Sequence, residues 1–116
     1  MAFDIAAFKD AFEAVDTEAI LGFYAEQIEH VEIDAEAPPR SPRVSGKDAL
    51  RQAFAGIAQA GIKLHLDNAL SSEERAAGTI TCEFPDGRRL LSNTIYHLRG
   101  GKIVRQLDVQ VTDPEA

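Results

Sequence analysis

The hydrophobic positions at the start of the chain recur at helical intervals. They lie three or four residues apart, at Ile5, Phe8, Phe12 and Val15. This spacing predicts an amphipathic helix over residues 4–14, and Asp4 is suited to cap its first turn. Asp16 and Thr17 interrupt the pattern and are suited to cap a second helix. We expect the apolar side of that second helix to consist of Ile20, Leu21, Phe23 and Tyr24.

A change of period near Gln27 indicates a strand. In the segment 28–34, Val31 and Ile33 share one face, and the other face is polar, with His30, Glu32 and Asp34. Three prolines follow, so residues 35–45 are predicted to form an irregular loop.

A third helix is predicted after this loop. Ser45 and Asp48 have the spacing of a capping box, which marks the start of a helix. The apolar residues that follow have helical spacing, at Leu50, Ala53, Phe54 and Ile57. Gly61 is suited to end this helix.

Alternating apolar and polar residues dominate the second half of the chain. The pattern predicts strands beginning at Ile62 and covering residues 79–84, 88–99 and 102–112, with turns at Pro85-Asp86-Gly87 and Gly100-Gly101. Helices therefore come early and a four-stranded antiparallel meander comes late. This order predicts an α+β fold with the helices on one face of the sheet.

Composition and charge limit the classes of function that the chain can have. The 116 residues fit a single domain, 1–116, and a net charge of −7 argues against nucleic-acid partners and anionic membrane surfaces. The single cysteine excludes an internal disulfide, and with three histidines no zinc spacing is found. Neither a secretory signal nor an apolar stretch of about 20 residues is present, so we expect a soluble cytoplasmic protein.

Four short motifs at matching positions carry a resemblance to a known family. They are Asp16-Thr17-Glu18-Ala19-Ile20, Phe23-Tyr24-Ala25-Glu26, Ser45-Gly46-Lys47-Asp48-Ala49-Leu50 and Gly101-Lys102-Ile103-Val104. The chain resembles the SnoaL-like branch of the nuclear transport factor 2-like (NTF2-like) superfamily, near the ketosteroid isomerases. The resemblance implies a cone-shaped α+β barrel of the cystatin-like kind, in which a strongly curved, mostly antiparallel sheet wraps three helices. It also implies a pocket with residues 35–45 at its rim, and a homodimer packed through the outer face of the sheet.

Comparison with the isomerase branch also implies positions for the site. The general base of that branch falls on Glu32, its oxyanion-hole tyrosine on Phe8, and its second oxyanion acid at about Thr94. The pocket side of the last strand is implied to hold Val104, Gln106, Asp108 and Gln110, whereas Ile103, Leu107, Val109 and Val111 face away. On the preceding strand, one face carries Ser92, Thr94 and Tyr96.

Two functions remain open on these grounds. The first is a module that binds a small apolar ligand without chemistry, and the alternative is a cofactor-independent isomerase, cyclase or dehydratase acting on an apolar carbonyl compound. The catalytic candidates are Glu32 as base, with Tyr96 or Asp108 as the proton donor. The candidates for ligand binding are Phe8, Phe12, Tyr24, His30, Phe54, Thr94, Gln106 and Gln110. We expect no metal and no cofactor, and we assign no role to His65 or His97.

Overall fold

The computed structural model describes residues 2–33 and 44–113. Its helices are α1 (Ile5–Glu13), α2 (Thr17–Leu21) and α3 (Lys47–Gln59). Its strands are β1 (Tyr24–Ile33), β2 (Val44–Ser45), β3 (Lys63–Ser71), β4 (Arg75–Glu83), β5 (Arg89–Arg99) and β6 (Lys102–Thr112). The α+β fold predicted from the alternating pattern is confirmed.

The six strands form one curved, unclosed sheet in the order β2-β1-β6-β5-β4-β3. Strands β3 to β6 pair antiparallel, as the predicted meander requires. β1 joins the other side of β6 in parallel, which brings a strand from the first half of the chain beside β6 near its end. The sheet is therefore mixed, and β1 lies beside β6 although the two strands come from opposite halves of the sequence.

The helices cover the inner face of the sheet. Phe8 and Phe12 of α1 and Leu50 and Phe54 of α3 are buried, and they pack with Ile20 and Leu21 of α2 and with the inner residues of β3 to β6. Asp4 caps α1 as predicted, since its side chain accepts a hydrogen bond from the Ala7 amide at 3.0 Å. Among the described residues no helix is both long enough and apolar enough to cross a membrane.

Two predictions about the early elements are wrong. Phe23 and Tyr24 do not belong to α2, because that helix ends at Leu21 and Tyr24 begins β1. Ser45 does not cap α3, because it pairs with Glu29 in β2 and Gly46 occupies the cap with a φ of 88°. Gly46 supplies this backbone conformation without the steric cost that a side chain would bring. The predicted loop 35–45 thus includes two strand residues, and its other residues, 35–43, lie outside the described part of the chain, as does Asp34.

One residue of the last strand faces the opposite way from the prediction. Ile103 was expected on the outer face, but it is fully buried in the core. The register of β5 and β6 shifts there, since Leu98 pairs with Ile103 while His97 pairs with Arg105. Val104 is therefore an extra residue in β6, and such a bulge breaks the strict alternation of faces on which the prediction relied.

Candidate functional site

A cavity of about 210 Å³ opens between the helices and the inner face of the sheet. Most of its wall is apolar and comes from α1, α3, the segment leading into β3, and β3 to β5. These residues are Phe12, Phe54, Ile57, Ile62, Leu64, Ile80, Cys82, Phe84 and Leu90. Phe12 and Phe54 meet edge to face, with ring centroids 6.3 Å apart, and join α1 to α3 at the cavity. An engineered apolar cavity of about 150 Å³ holds benzene, so this cavity has room for a single substituted ring.

The remaining wall is polar and is formed by β1, β5 and β6. Its residues are His30, Glu32, Ser92, Gln106, Asp108 and Gln110. Parallel pairing places Glu32 opposite Asp108 and His30 opposite Gln106, and antiparallel pairing places Ser92 opposite Gln110. Because side chains alternate along a strand, His30 and Glu32 share the face that Gln106 and Asp108 present. The polar groups thus meet at one end of a mostly apolar cavity.

Asp108 is the centre of this polar group, and it is only 6% exposed. Its Oδ1 accepts hydrogen bonds from Thr94 Oγ1 at 2.8 Å and from Gln106 Nε2 at 3.0 Å. Its Oδ2 lies 2.7 Å from Nε2 of His30. The carboxylate is thereby held in one orientation, with one oxygen turned to its own strand and to β5 and the other turned to His30.

Tyr24 extends this hydrogen-bond network into the core. Its hydroxyl donates to Gln106 Oε1 at 2.6 Å, so the amide of Gln106 must turn its nitrogen toward Asp108. Burial, together with the charge of Asp108, raises the pKa of Tyr24 well above its ordinary value. Tyr24 therefore remains a neutral hydrogen-bond donor over the range in which the protein is expected to work.

Tyr96 is also fully buried, but its hydroxyl finds no hydrogen-bond partner among the described residues. Its ring packs against Phe8, with centroids 5.4 Å apart. Burial raises the pKa of Tyr96 well above its ordinary value, and the neighbouring Tyr24 and Asp108 act in the same direction. The hydroxyl lies beside the polar network without joining it.

Cys82 on β4 turns its thiol to the cavity. Burial raises the pKa of this thiol to about 11, and the charges of Asp108 and Glu32 contribute to the shift. The residue is therefore a neutral, weakly reactive thiol at pH 7. Since it is the only cysteine of the chain, it provides a chemical reporter inside the cavity.

Three residues of the polar wall have the donor atoms of a metal site. His30, Glu32 and Asp108 each offer a ligand atom, and these atoms all lie within 4.8 Å of one another. The sequence alone does not reveal this set, because the spacing of residues 30, 32 and 108 forms no recognisable motif until β1 and β6 are known to be neighbours.

Comparison with known proteins identifies the family to which this fold belongs. A family model described as a SnoaL-like domain matches residues 5–106. The chain belongs to the SnoaL-like family. The resemblance carried by the four sequence motifs is thus confirmed. No curated protein matches this SnoaL-like chain.

Several solved structures share the SnoaL-like fold at low sequence identity. A proposed ketosteroid isomerase from Kribbella flavida is 16% identical with a TM-score of 0.75, over 97% of this chain and 78% of that one. An NTF2-like protein of unknown function from Mesorhizobium loti is 24% identical with a TM-score of 0.73, over 92% and 87%. A proposed polyketide cyclase from Xanthomonas campestris is 19% identical with a TM-score of 0.64, over 90% and 85%. At these identities the likeness establishes the fold alone.

The SnoaL-like cavity brings together seven of the eleven residues that sequence analysis singled out. They are Phe12, His30, Glu32, Phe54, Gln106, Asp108 and Gln110. The other four do not line it. Phe8 lies in the aromatic core against Phe3, Phe12, Phe23, Tyr24 and Tyr96, whereas Tyr24 and Thr94 stand behind the wall and hold Gln106 and Asp108. Tyr96 is buried beside Phe8.

Proposed function

We propose that this SnoaL-like protein binds a small apolar molecule that carries one polar group. The observation that supports this most is the division of the cavity, which is apolar on the helix side and on β3 and β4, and polar where β1, β5 and β6 meet. Sites for small molecules commonly combine an apolar lining with a few polar groups that fix orientation. The apolar body of the ligand would lie against Phe12, Phe54 and Ile80, and its polar group would face β6.

Ser92 and Gln110 are suited to hold a carbonyl oxygen of the ligand. Both line the cavity and pair across β5 and β6, and neither side chain makes a hydrogen bond within the described residues. A hydroxyl and an amide nitrogen can each donate a hydrogen bond to a carbonyl. By contrast, Gln106 already uses its amide on both sides, for Tyr24 and Asp108.

Calorimetric titration with single-ring aromatic and alicyclic ketones tests this proposal. The change Ile57→Trp adds bulk at the partly exposed helix side of the cavity, and it should weaken binding at least about tenfold. The matched control is Ala55→Trp on the exposed side of the same helix, outside the cavity, and it should leave binding unchanged. Equal affinities of the two variants would exclude this cavity as the site.

A second candidate function, proton-transfer catalysis, is favoured by the 2.7 Å contact between His30 and Asp108 beside Glu32. In this reaction Glu32 would take a proton from the carbon next to a carbonyl, and Ser92 or Gln110 would donate a hydrogen bond to the developing enolate oxygen. Asp108 would orient the imidazole of His30, because both carboxylate oxygens of Asp108 already accept hydrogen bonds. Similar structures described as a proposed ketosteroid isomerase and a proposed polyketide cyclase support a carbonyl substrate.

Exchange of ketone α-protons in deuterated water, followed by NMR, tests for this chemistry. Under the catalytic proposal the wild-type protein accelerates exchange, and Glu32→Gln removes most of the acceleration. Glu29→Gln is the matched control, because Glu29 is exposed and lies on the opposite face of the same strand. Binding without accelerated exchange would leave the protein as a ligand-binding module, and equal loss in both variants would contradict the role of Glu32.

We also propose that the protein forms a homodimer through the outer face of the sheet. Ile95 is 44% exposed there, and Val109 and Val111 are 52% and 60% exposed. The three residues lie on β5 and β6, and the register of these two strands places all three on the same face of the sheet. Apolar areas of this kind on a sheet are commonly covered by a second copy of the chain.

A further inference from the structure

We infer that His30, Glu32 and Asp108 bind a divalent transition-metal ion, such as Zn²⁺ or Mn²⁺, at the polar end of the cavity. Neither the family match nor the similar structures suggest a metal here, and the spacing of the histidines predicted none. The inference does not depend on the proposed organic ligand, because the three residues belong to the protein itself.

The donor atoms come from two adjacent strands of the sheet. Parallel pairing sets Glu32 directly beside Asp108, and His30 stands two residues earlier on the same face of β1. Nε2 of His30 and Oδ2 of Asp108 are 2.7 Å apart, and the ligand atom of Glu32 lies within 4.8 Å of both. One ion placed among these atoms could therefore be bound by all three residues.

The negative charge of Asp108 favours a bound cation at the polar end of the cavity. The residue is 6% exposed, and the hydrogen bonds that the described residues give to its carboxylate come from Thr94, Gln106 and His30. Within residues 2–33 and 44–113 its basic partner is His30, which is a cation only when protonated, and a second carboxylate, Glu32, lies beside it on β1. Buried carboxylates are as a rule paired with a cation or bound to a metal. A divalent ion would meet this requirement for Asp108 directly.

A second shell of hydrogen bonds already orients the proposed ligand. Thr94 and Gln106 both donate to Oδ1 of Asp108, which leaves Oδ2 directed toward His30. Gln106 is in turn fixed by the hydroxyl of Tyr24. Metal-binding carboxylates are held in this way in known sites, and loss of such an outer partner costs about 10- to 100-fold in metal affinity.

The donor set indicates the class of ion. One imidazole nitrogen with two carboxylates suits Zn²⁺, Mn²⁺ or Fe²⁺ better than Ca²⁺ or Mg²⁺, which prefer oxygen ligands throughout. Three protein ligands also leave coordination positions open. Because the three residues line the cavity, those positions would face the space in which a small molecule could bind.

Calorimetric titration of the metal-free protein with Zn²⁺ and with Mn²⁺ tests the inference. We expect one ion per chain, and we expect His30→Gln and Asp108→Asn each to weaken binding more than tenfold. Thr94→Val, which removes only an outer partner, should weaken it about tenfold. Mn²⁺ should also broaden the imidazole proton signals of His30 in the NMR spectrum before those of His97.

The protein contains its own control for adventitious binding. His65 and Glu83 form another histidine–carboxylate pair, 3.0 Å apart, on the exposed surface of β3 and β4. His65→Gln should leave the affinity unchanged. The inference is overturned if the wild type binds neither ion, if His30→Gln and Asp108→Asn bind as the wild type does, or if His65→Gln abolishes binding. Ketone binding is measured separately, in the presence of a chelator. A negative result for metal binding therefore neither supports nor contradicts the proposed binding of a ketone.

Discussion

His30 and Asp108 lie 78 positions apart in the sequence, yet Nε2 of one and Oδ2 of the other are separated by 2.7 Å. The parallel pairing of β1 with β6 produces this contact, because it joins a strand of the first half of the chain to one near the end of the chain. Thr94 and Gln106 hold the other oxygen of Asp108 in place. The polar end of the cavity is thus built around one buried carboxylate with a fixed orientation.

The two buried tyrosines should respond oppositely to loss of the hydroxyl. Tyr24→Phe leaves Oε1 of Gln106 without its donor, and we expect it to lower the free energy of unfolding by about 1–3 kcal/mol. Tyr96→Phe removes a buried hydroxyl that has no partner among the described residues, so it should leave stability unchanged or raise it. Urea unfolding of both variants measures the difference. Equal destabilisation would contradict a stabilising contribution of the Tyr24–Gln106 hydrogen bond.

Glu13 should make stability depend on pH. Its carboxylate accepts hydrogen bonds from the Leu66 amide and from Lys9, both at 2.9 Å, and the Leu66 bond is the main reason that the pKa of Glu13 lies below its ordinary value of 4.5. A pKa lowered by folding stabilises the protein above the ordinary value, and this contribution is lost as the pH falls through the folded value. We therefore expect Glu13→Gln to cost about 1 kcal/mol at pH 7 and less than that near pH 3.

Thermal unfolding of this variant at both pH values provides the check. The control is Glu73→Gln, at an exposed position before β4, which should behave as the wild type. A deficit of Glu13→Gln that persists unchanged at low pH would refute the electrostatic explanation.

Two glycines should differ sharply in their tolerance of a methyl group. At Gly78 of β4, a Cβ atom would lie 2.7 Å from Cδ1 of Leu66, which is fully buried. We expect Gly78→Ala to destabilise the protein by about 1–3 kcal/mol through overpacking. At Gly56 of α3 a Cβ meets nothing within 4 Å, so Gly56→Ala should stabilise the helix by about 0.5–1 kcal/mol. Urea unfolding that ranks the two variants the other way would contradict this packing.

The proposed dimer can be broken by a charge on the outer face. Light scattering of the wild type should return twice 12.6 kDa, and Val109→Lys should return 12.6 kDa at the same concentration. A lysine at Ala55, on the exposed side of α3, should leave the dimer intact. A monomeric wild type at micromolar concentration would exclude the proposal.

Local patterns predicted the elements well. Alternation placed β6 at residues 102–112, where it lies, and the cap at Asp4 was correct. The errors arose where tertiary structure overrides local preference. Tyr24 continues an apolar helical pattern, but it pairs with Ile103 at the start of β1, and the bulge at Val104 turns Ile103 inward.

The site was predicted less completely, because its residues come together only through pairing between strands. Resemblance to the family pointed to Glu32, and the expected face of the last strand pointed to Gln106, Asp108 and Gln110. Ile80 and Cys82 were missed, although they alternate on the predicted strand over residues 79–84. No local signal could show that this face of β4 borders a cavity instead of filled core, nor that Phe8 would lie too deep to reach it.

Alkylation of Cys82 tests the central claim, that a small molecule binds in this cavity, most directly. The thiol lies in the cavity beside the polar residues, and the chain has no second cysteine that could react. With a pKa of about 11 the thiol reacts slowly near neutral pH, so the rate is best followed at pH 9 by mass spectrometry. Saturation with a ketone that binds in calorimetry should slow the reaction at least about tenfold, and the Ile57→Trp variant should lose this protection. A bound ketone that leaves the rate of Cys82 alkylation unchanged would show that the ligand binds elsewhere and would contradict the account.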